Sequence, residues 1–170
     1  MSRLQAFYAF HIEAGLKFRA MSVLKAETGP RKNPGRQAMN EGSVLVVSNE
    51  TGLARSLGVT LAAKGYHVSH TGSFHEAISL VELGKHDVLI LDNEASPIAT
   101  EQACRKIRAC SKIAIIVIAS DDSGQKKTDA ILAGADAYLP KPFGVAEILA
   151  SIRDTLQKSR AKMDLHVLIS

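Results

Sequence analysis

VLVVSNE, residues 44–50, is the stretch on which the fold of this chain turns. Val44 to Val47 is an unbroken aliphatic run, short enough for a strand and apolar on both of its faces, as a strand covered on two sides must be. Ser48, Asn49 and Glu50 then end the run in a polar turn. DVLILD at 87–92 and IAIIVIA at 113–119 have the same character. YHVSH at 66–70 alternates instead, which suits a strand nearer a sheet edge, and AYL at 137–139 completes a series of five. An amphipathic stretch follows each: 52–64, 73–83, 99–108, 124–133 and 145–156. Five strand–helix repeats imply an α/β fold, a doubly wound five-stranded parallel sheet, (βα)5, with helices on both faces.

The chain has 170 residues, 46% of them hydrophobic, enough for one well-filled core. Charge is uneven: residues 1–42 hold seven Lys/Arg against three acids, which accounts for the whole net charge of +4. The remainder is balanced, so the basic pI reflects a leader and gives little support to nucleic-acid binding. Glu27 to Gly42 clusters Gly, Pro, Asn and charge, as a linker does. Ahead of it, 4–24 holds Phe7, Tyr8, Phe10 and Phe18, and three readings stay open: a docking helix, a disordered tail, or an upstream extension ahead of Met39. The expected organisation is a basic leader and linker at 1–42, a domain at 43–158 and a tail at 159–170. No apolar run approaches the roughly 18 residues of a membrane span, and no signal peptide is evident, so a cytoplasmic location is expected. Cys104 and Cys110 lack metal-ligand spacing and read as free buried thiols. His67, His70 and His75 straddle a strand and a turn and read as ordinary surface histidines.

Doubly wound sheets place their chemistry outside the carboxyl ends of the strands, where strand order reverses. The exits here are Ser48-Asn49-Glu50, Asp92, Ala119-Ser120 and Lys141-Pro142. A carboxylate can attack a phosphoryl group, a lysine can hold its oxygens, and a hydroxyl can respond to the new charge by hydrogen bonding. VLVVSNE, DVLILD and AGADAYLPKPF, with their spacing, resemble the receiver domain of two-component response regulators over 43–158. Small-residue turn, strand, Lys and Pro fall in the family's order at 133–143, the most specific piece.

The resemblance implies a flavodoxin-like fold and a signalling module, not an enzyme. It matches Asp92 to the phosphoacceptor, Lys141 to the phosphoryl-contacting lysine, Tyr138 to the switch aromatic and Pro142 to a cis-proline. An ungapped count from Lys141 puts Ala119 in the switch hydroxyl slot, and a loop one residue shorter puts Ser120 there. The family's acidic pair for magnesium is replaced by Ser48 and Asn49, so Mg2+ is expected to bind weakly or not at all, with Asn49, Glu50, Asp92 and Glu94 as candidate ligands. Removing one carboxylate about 4 Å from a divalent ion forfeits a gross Coulomb attraction of roughly 8 kcal/mol, largely offset by desolvation.

The implied partners are a sensor histidine kinase or phosphotransfer protein upstream, and downstream a protein partner or a second copy met through the 124–156 face; nucleic acid is not expected. The alternative within the same fold is a degenerate pseudo-receiver, a phosphorylation-independent binding module. A third class, a flavodoxin-like enzyme or ligand-binding domain, requires a pocket at the same rim. Residues 2–37 are expected to be dispensable for folding. A chain begun at Met39 should melt cooperatively within a few degrees of the full chain, and a loss of about 2 kcal/mol or more would put the leader's aromatics in a core or interface.

Overall fold

The computed structural model describes residues 41–94 and 97–167. The expectations for the leader at 1–40 and for the end of the tail at 168–170 lie outside the described residues. The strands are β1 (Gly42–Val47), β2 (Tyr66–Thr71), β3 (Val88–Asp92), β4 (Ala114–Ala119) and β5 (Ala137–Pro140). The helices are α1 (Thr51–Ala62), α2 (Phe74–Glu82), α3 (Pro97–Cys110), α4 (Gly124–Leu132) and α5 (Val145–Val167). All four strand pairings are parallel, in the order β2-β1-β3-β4-β5. Strand order reverses between β1 and β3, so the exits of β1, β3 and β4 share one rim there.

Side-chain alternation splits the sheet's apolar residues between two layers. Leu45, Leu89, Leu91, Ile115 and Val117 pack with Ala77 and Val81 of α2, Cys104 and Ile107 of α3, and Ala130 of α4. Val44, Val46, Ile90, Ile116 and Ile118 pack with Leu57 and Leu61 of α1 and Ile148 and Ile152 of α5. The central strands are therefore apolar throughout because they have no solvated face. The alternating YHVSH run forms β2, which lies at an edge and has exposed His67, Ser69 and His70.

Gly134 shows how one turn is secured. Its φ of +114° suits glycine, and a Cβ there would lie 3.2 Å from Cβ of Arg108. Arg108 donates to the Gly134 and Ile113 carbonyls and pairs with Asp136 at 2.7 Å, joining the end of α3 to the entries of β4 and β5. Burial of Cys104 pushes its thiol up to about 12, whereas Cys110 is exposed; the expectation of two buried thiols holds for the first alone. The last helix also departs from the sequence reading: α5 continues to Val167, because 157–167 contains no Gly or Pro to stop it.

Candidate functional site

At the exit of β3, Asp92 is 2% exposed, and a carboxylate so deep needs partners. Ser48 at the exit of β1 donates its hydroxyl to Asp92 Oδ2 at 2.6 Å. Lys141 at the exit of β5 donates Nζ to Asp92 Oδ1 at 3.0 Å, and the Glu94 amide reaches the same oxygen at 3.3 Å. Both carboxylate oxygens are thus engaged by donors from the protein.

The β1 turn is built to present Ser48. Its Oγ also accepts from the Glu50 amide at 3.0 Å, a local hydroxyl-to-backbone turn. The Ser48 amide donates to the Thr71 carbonyl, and the Ser48 carbonyl lies 2.9 Å from His70 Nε2, so β2 holds the turn from the other side. His70, which the sequence presents as an ordinary surface residue, therefore belongs to the support of the site.

Asn49 is turned away. A Cβ at Gly72 would come within 2.8 Å of Asn49 Oδ1, so the amide lies against the β2 exit, a placement that the absence of a side chain at Gly72 permits. Glu50 is exposed, with an oxygen 3.7 Å from Lys141 Nζ. Glu94 reaches across to β4, where its Oε1 accepts from the Ser120 amide at 2.7 Å. The Ser120 hydroxyl, then its amide, hold the Glu94 carboxyl below the usual carboxylate range, with Lys141 adding to the effect.

Of the two candidates for the hydroxyl slot, Ala119 is buried at the end of β4 and its carbonyl accepts from the Lys141 amide at 2.8 Å. Ser120 stands exposed on the rim, bonded to Glu94. Tyr138 packs against the α2–α4 layer and donates its hydroxyl to the Asp121 carbonyl. Burial, followed by the charges of Asp121, Asp122 and Glu94, pushes its pKa up. The Lys141–Pro142 peptide bond is cis.

These residues do not form a cage for a hard divalent cation, which takes carboxylate, phosphate and water oxygens in near-octahedral array. Among the described residues no group of three His, Cys, Asp or Glu could hold a metal. Asp92 is engaged by Ser48 and Lys141, Asn49 faces Gly72, and Glu94 faces Ser120. A cavity lined by Asn93, Cys104 and Tyr138 has about 10 Å3, room for one water, and an open hollow beside Thr51, Ala54, Arg55 and His70 has about 240 Å3, below the roughly 300 Å3 or more of ligand sites.

An α/β sheet of order 2-1-3-4-5 with one deep carboxylate and one lysine at its switch point defines the class: a flavodoxin-like domain with a receiver-type rim. The response regulator receiver domain family matches residues 44–153, and the chain belongs to that family, the receiver domains of two-component signalling. It is 31% identical over 122 residues to the response regulator MprA of Mycobacterium avium, an alignment covering 71% of this chain and 54% of the relative. The chain thus spans about half the length of the curated relatives it matches. Among solved structures, a two-component response regulator from Clostridium difficile superposes with a TM-score of 0.63 at 23% identity, over 68% of this chain and 95% of that one. The receiver domain of sensor histidine kinase PA1611 from Pseudomonas aeruginosa, which has a magnesium ion coordinated in its active-site cleft, gives a TM-score of 0.62 at 22% identity, over 68% and 98%. Both show likeness of fold. Among the described residues no helix is long and apolar enough to cross a membrane.

Restoring charge at the β1 exit tests the assignment of the rim. Ser48→Asp combined with Asn49→Asp is expected to raise magnesium affinity at least about tenfold in a calorimetric titration, whereas unchanged affinity would put the ion's site elsewhere.

Proposed function

We infer that this receiver domain takes a phosphoryl group on Asp92, slowly and with little dependence on metal, and passes the signal on through protein–protein contact. The observation that carries the reading is the Lys141 ammonium 3.0 Å from a carboxylate at the exit of β3. In the transfer, an Asp92 oxygen attacks the phosphorus of the donor, the bond from phosphorus to its leaving group breaks with its electron pair going to that group, and an acyl phosphate forms. Asp92 Oδ2 is freed for attack when the Ser48 hydroxyl rotates off it. Lys141 then has the position to bind the phosphoryl oxygens. Without a bound cation, less of the charge developing on those oxygens is neutralised, which makes the step slow.

The upstream partner in this reading is a sensor histidine kinase or a phosphotransfer protein. Output through the 124–156 face is supported by exposed Ile131 and Leu132 on α4 and Val145 at the start of α5, an apolar set suited to a protein partner or a second copy. The domain begins with β1 at Gly42, one residue before the boundary expected at 43, and its last helix continues past 158 to Val167.

A second reading, a phosphorylation-independent binding module, is favoured by one observation: both Asp92 oxygens are already satisfied from within the chain. Incubation with acetyl phosphate and millimolar magnesium, followed by intact mass, separates the two. The first reading predicts the gain of one phosphoryl group over hours that is abolished in Asp92→Asn. No gain in the wild-type chain would leave the binding module, and a gain that survives Asp92→Asn would remove Asp92 from its role.

A further inference from the structure

Beyond Asp92, the rim carries a second anion with a built position. Glu94 stands two residues after Asp92, yet its carboxylate points away from the β3 turn to the end of β4 and takes the Ser120 amide at 2.7 Å. The turn that follows is pinned at each step. The Ala119 carbonyl accepts from Lys141 N, the Asp121 carbonyl accepts from the Tyr138 hydroxyl, Asp121 Oδ1 accepts from Ser123 N at 2.8 Å, and Ser123 Oγ caps α4 at Lys126. From the β3 exit, the Asn93 amide holds the Ile118 carbonyl at 2.9 Å within β4, and Glu94 supplies the contact to the turn itself.

We propose that the Glu94 carboxylate serves as a built-in anion for the β4 exit, holding Ser120 and, through Asp121, the Tyr138 hydroxyl in one arrangement while Asp92 is unmodified. The chemistry is that of anion recognition: a backbone amide at a strand exit donates to a carboxylate at 2.7 Å, with the Lys141 ammonium near enough to act on it electrostatically. A phosphoryl group arriving on Asp92 would draw on the same neighbourhood, since Lys141 is bonded to Asp92 and also bears electrostatically on Glu94. Glu94 therefore positions the turn between β4 and α4 and competes with the modified Asp92 for the rim's donors. The effect belongs to the unmodified protein, so it does not require Asp92 to be a phosphoacceptor.

Amide hydrogen exchange and Tyr138 ring resonances, recorded by NMR on the full chain, test this. In Glu94→Ala the Ser120 amide should exchange about tenfold faster, with the Tyr138 ring signals displaced. Glu94→Gln keeps an acceptor oxygen and should recover most of the protection. Asp92→Asn should leave Ser120 within about twofold of wild type. Ser120 exchange unchanged in Glu94→Ala, or lost while the Tyr138 ring signals stay in place, would overturn the proposal. So would loss of protection in Asp92→Asn as large as in Glu94→Ala, since the anion would then be Asp92. Should Glu94→Ala fail to fold, the Ser120 amide shift in Glu94→Gln carries the test: an upfield move is expected on loss of the charge, and no move refutes it.

Discussion

A carboxylate that is 2% exposed must be held by donors, and Asp92 is held by two that come from other strands. Ser48 reaches it from β1 and Lys141 from β5, so three separated exits must converge within hydrogen-bond distance. The parallel sheet makes that possible. Its order places β1 and β3 side by side at the reversal, and β4 then brings β5 alongside, with the Lys141 amide fixed to the Ala119 carbonyl at 2.8 Å. The unbroken apolar strands keep the sheet buried on both faces, and the helices that bury it leave the rim open to solvent. Core and site are thus one construction, since the packing that fixes the strands also sets the distances around Asp92.

Much of the fold was legible because it depends on periodicity. Three continuous aliphatic runs became the three central strands, and the alternating 66–70 run became an edge strand, each for the reason of burial that its pattern implies. Asp92 and Lys141 were legible as strand-exit residues because a strand's end fixes where the next side chain emerges. What could not be read was the direction of side chains in turns. Asn49 lies against Gly72, Glu94 crosses to Ser120, and His70 backs the Ser48 carbonyl, and each depends on contacts with residues distant in sequence. Arg108 was missed for the same reason, since its carbonyl partners carry no mark in the sequence. The length of α5 was underestimated because the amphipathic pattern fades before the helix does, and the absence of a breaker was the available signal.

Chemically, the rim keeps its shape and loses charge. Ser48 is a hydrogen-bond donor, so it can satisfy a buried carboxylate that a second acid would repel without a cation between them. The substitution is therefore consistent with a site that is stable without metal, and it alters what the site can do, because an ion that would neutralise phosphoryl oxygens has few anionic ligands to hold it. Glu94 puts a further carboxylate at the end of β4, on the Ser120 amide. A domain arranged this way has Ser48 and Lys141, the donors around Asp92, already occupied by that carboxylate.

Asp92 is closed by Ser48 and Lys141 from within the chain. A high-resolution crystal structure of the protein grown in millimolar magnesium tests it most directly. The Ser48 hydroxyl should lie within hydrogen-bond distance of one Asp92 oxygen and Lys141 on the other, with no octahedral density at the carboxylate. Magnesium bound to Asp92, with Ser48 rotated away and Glu50 or Asn49 turned in to complete its shell, would contradict it.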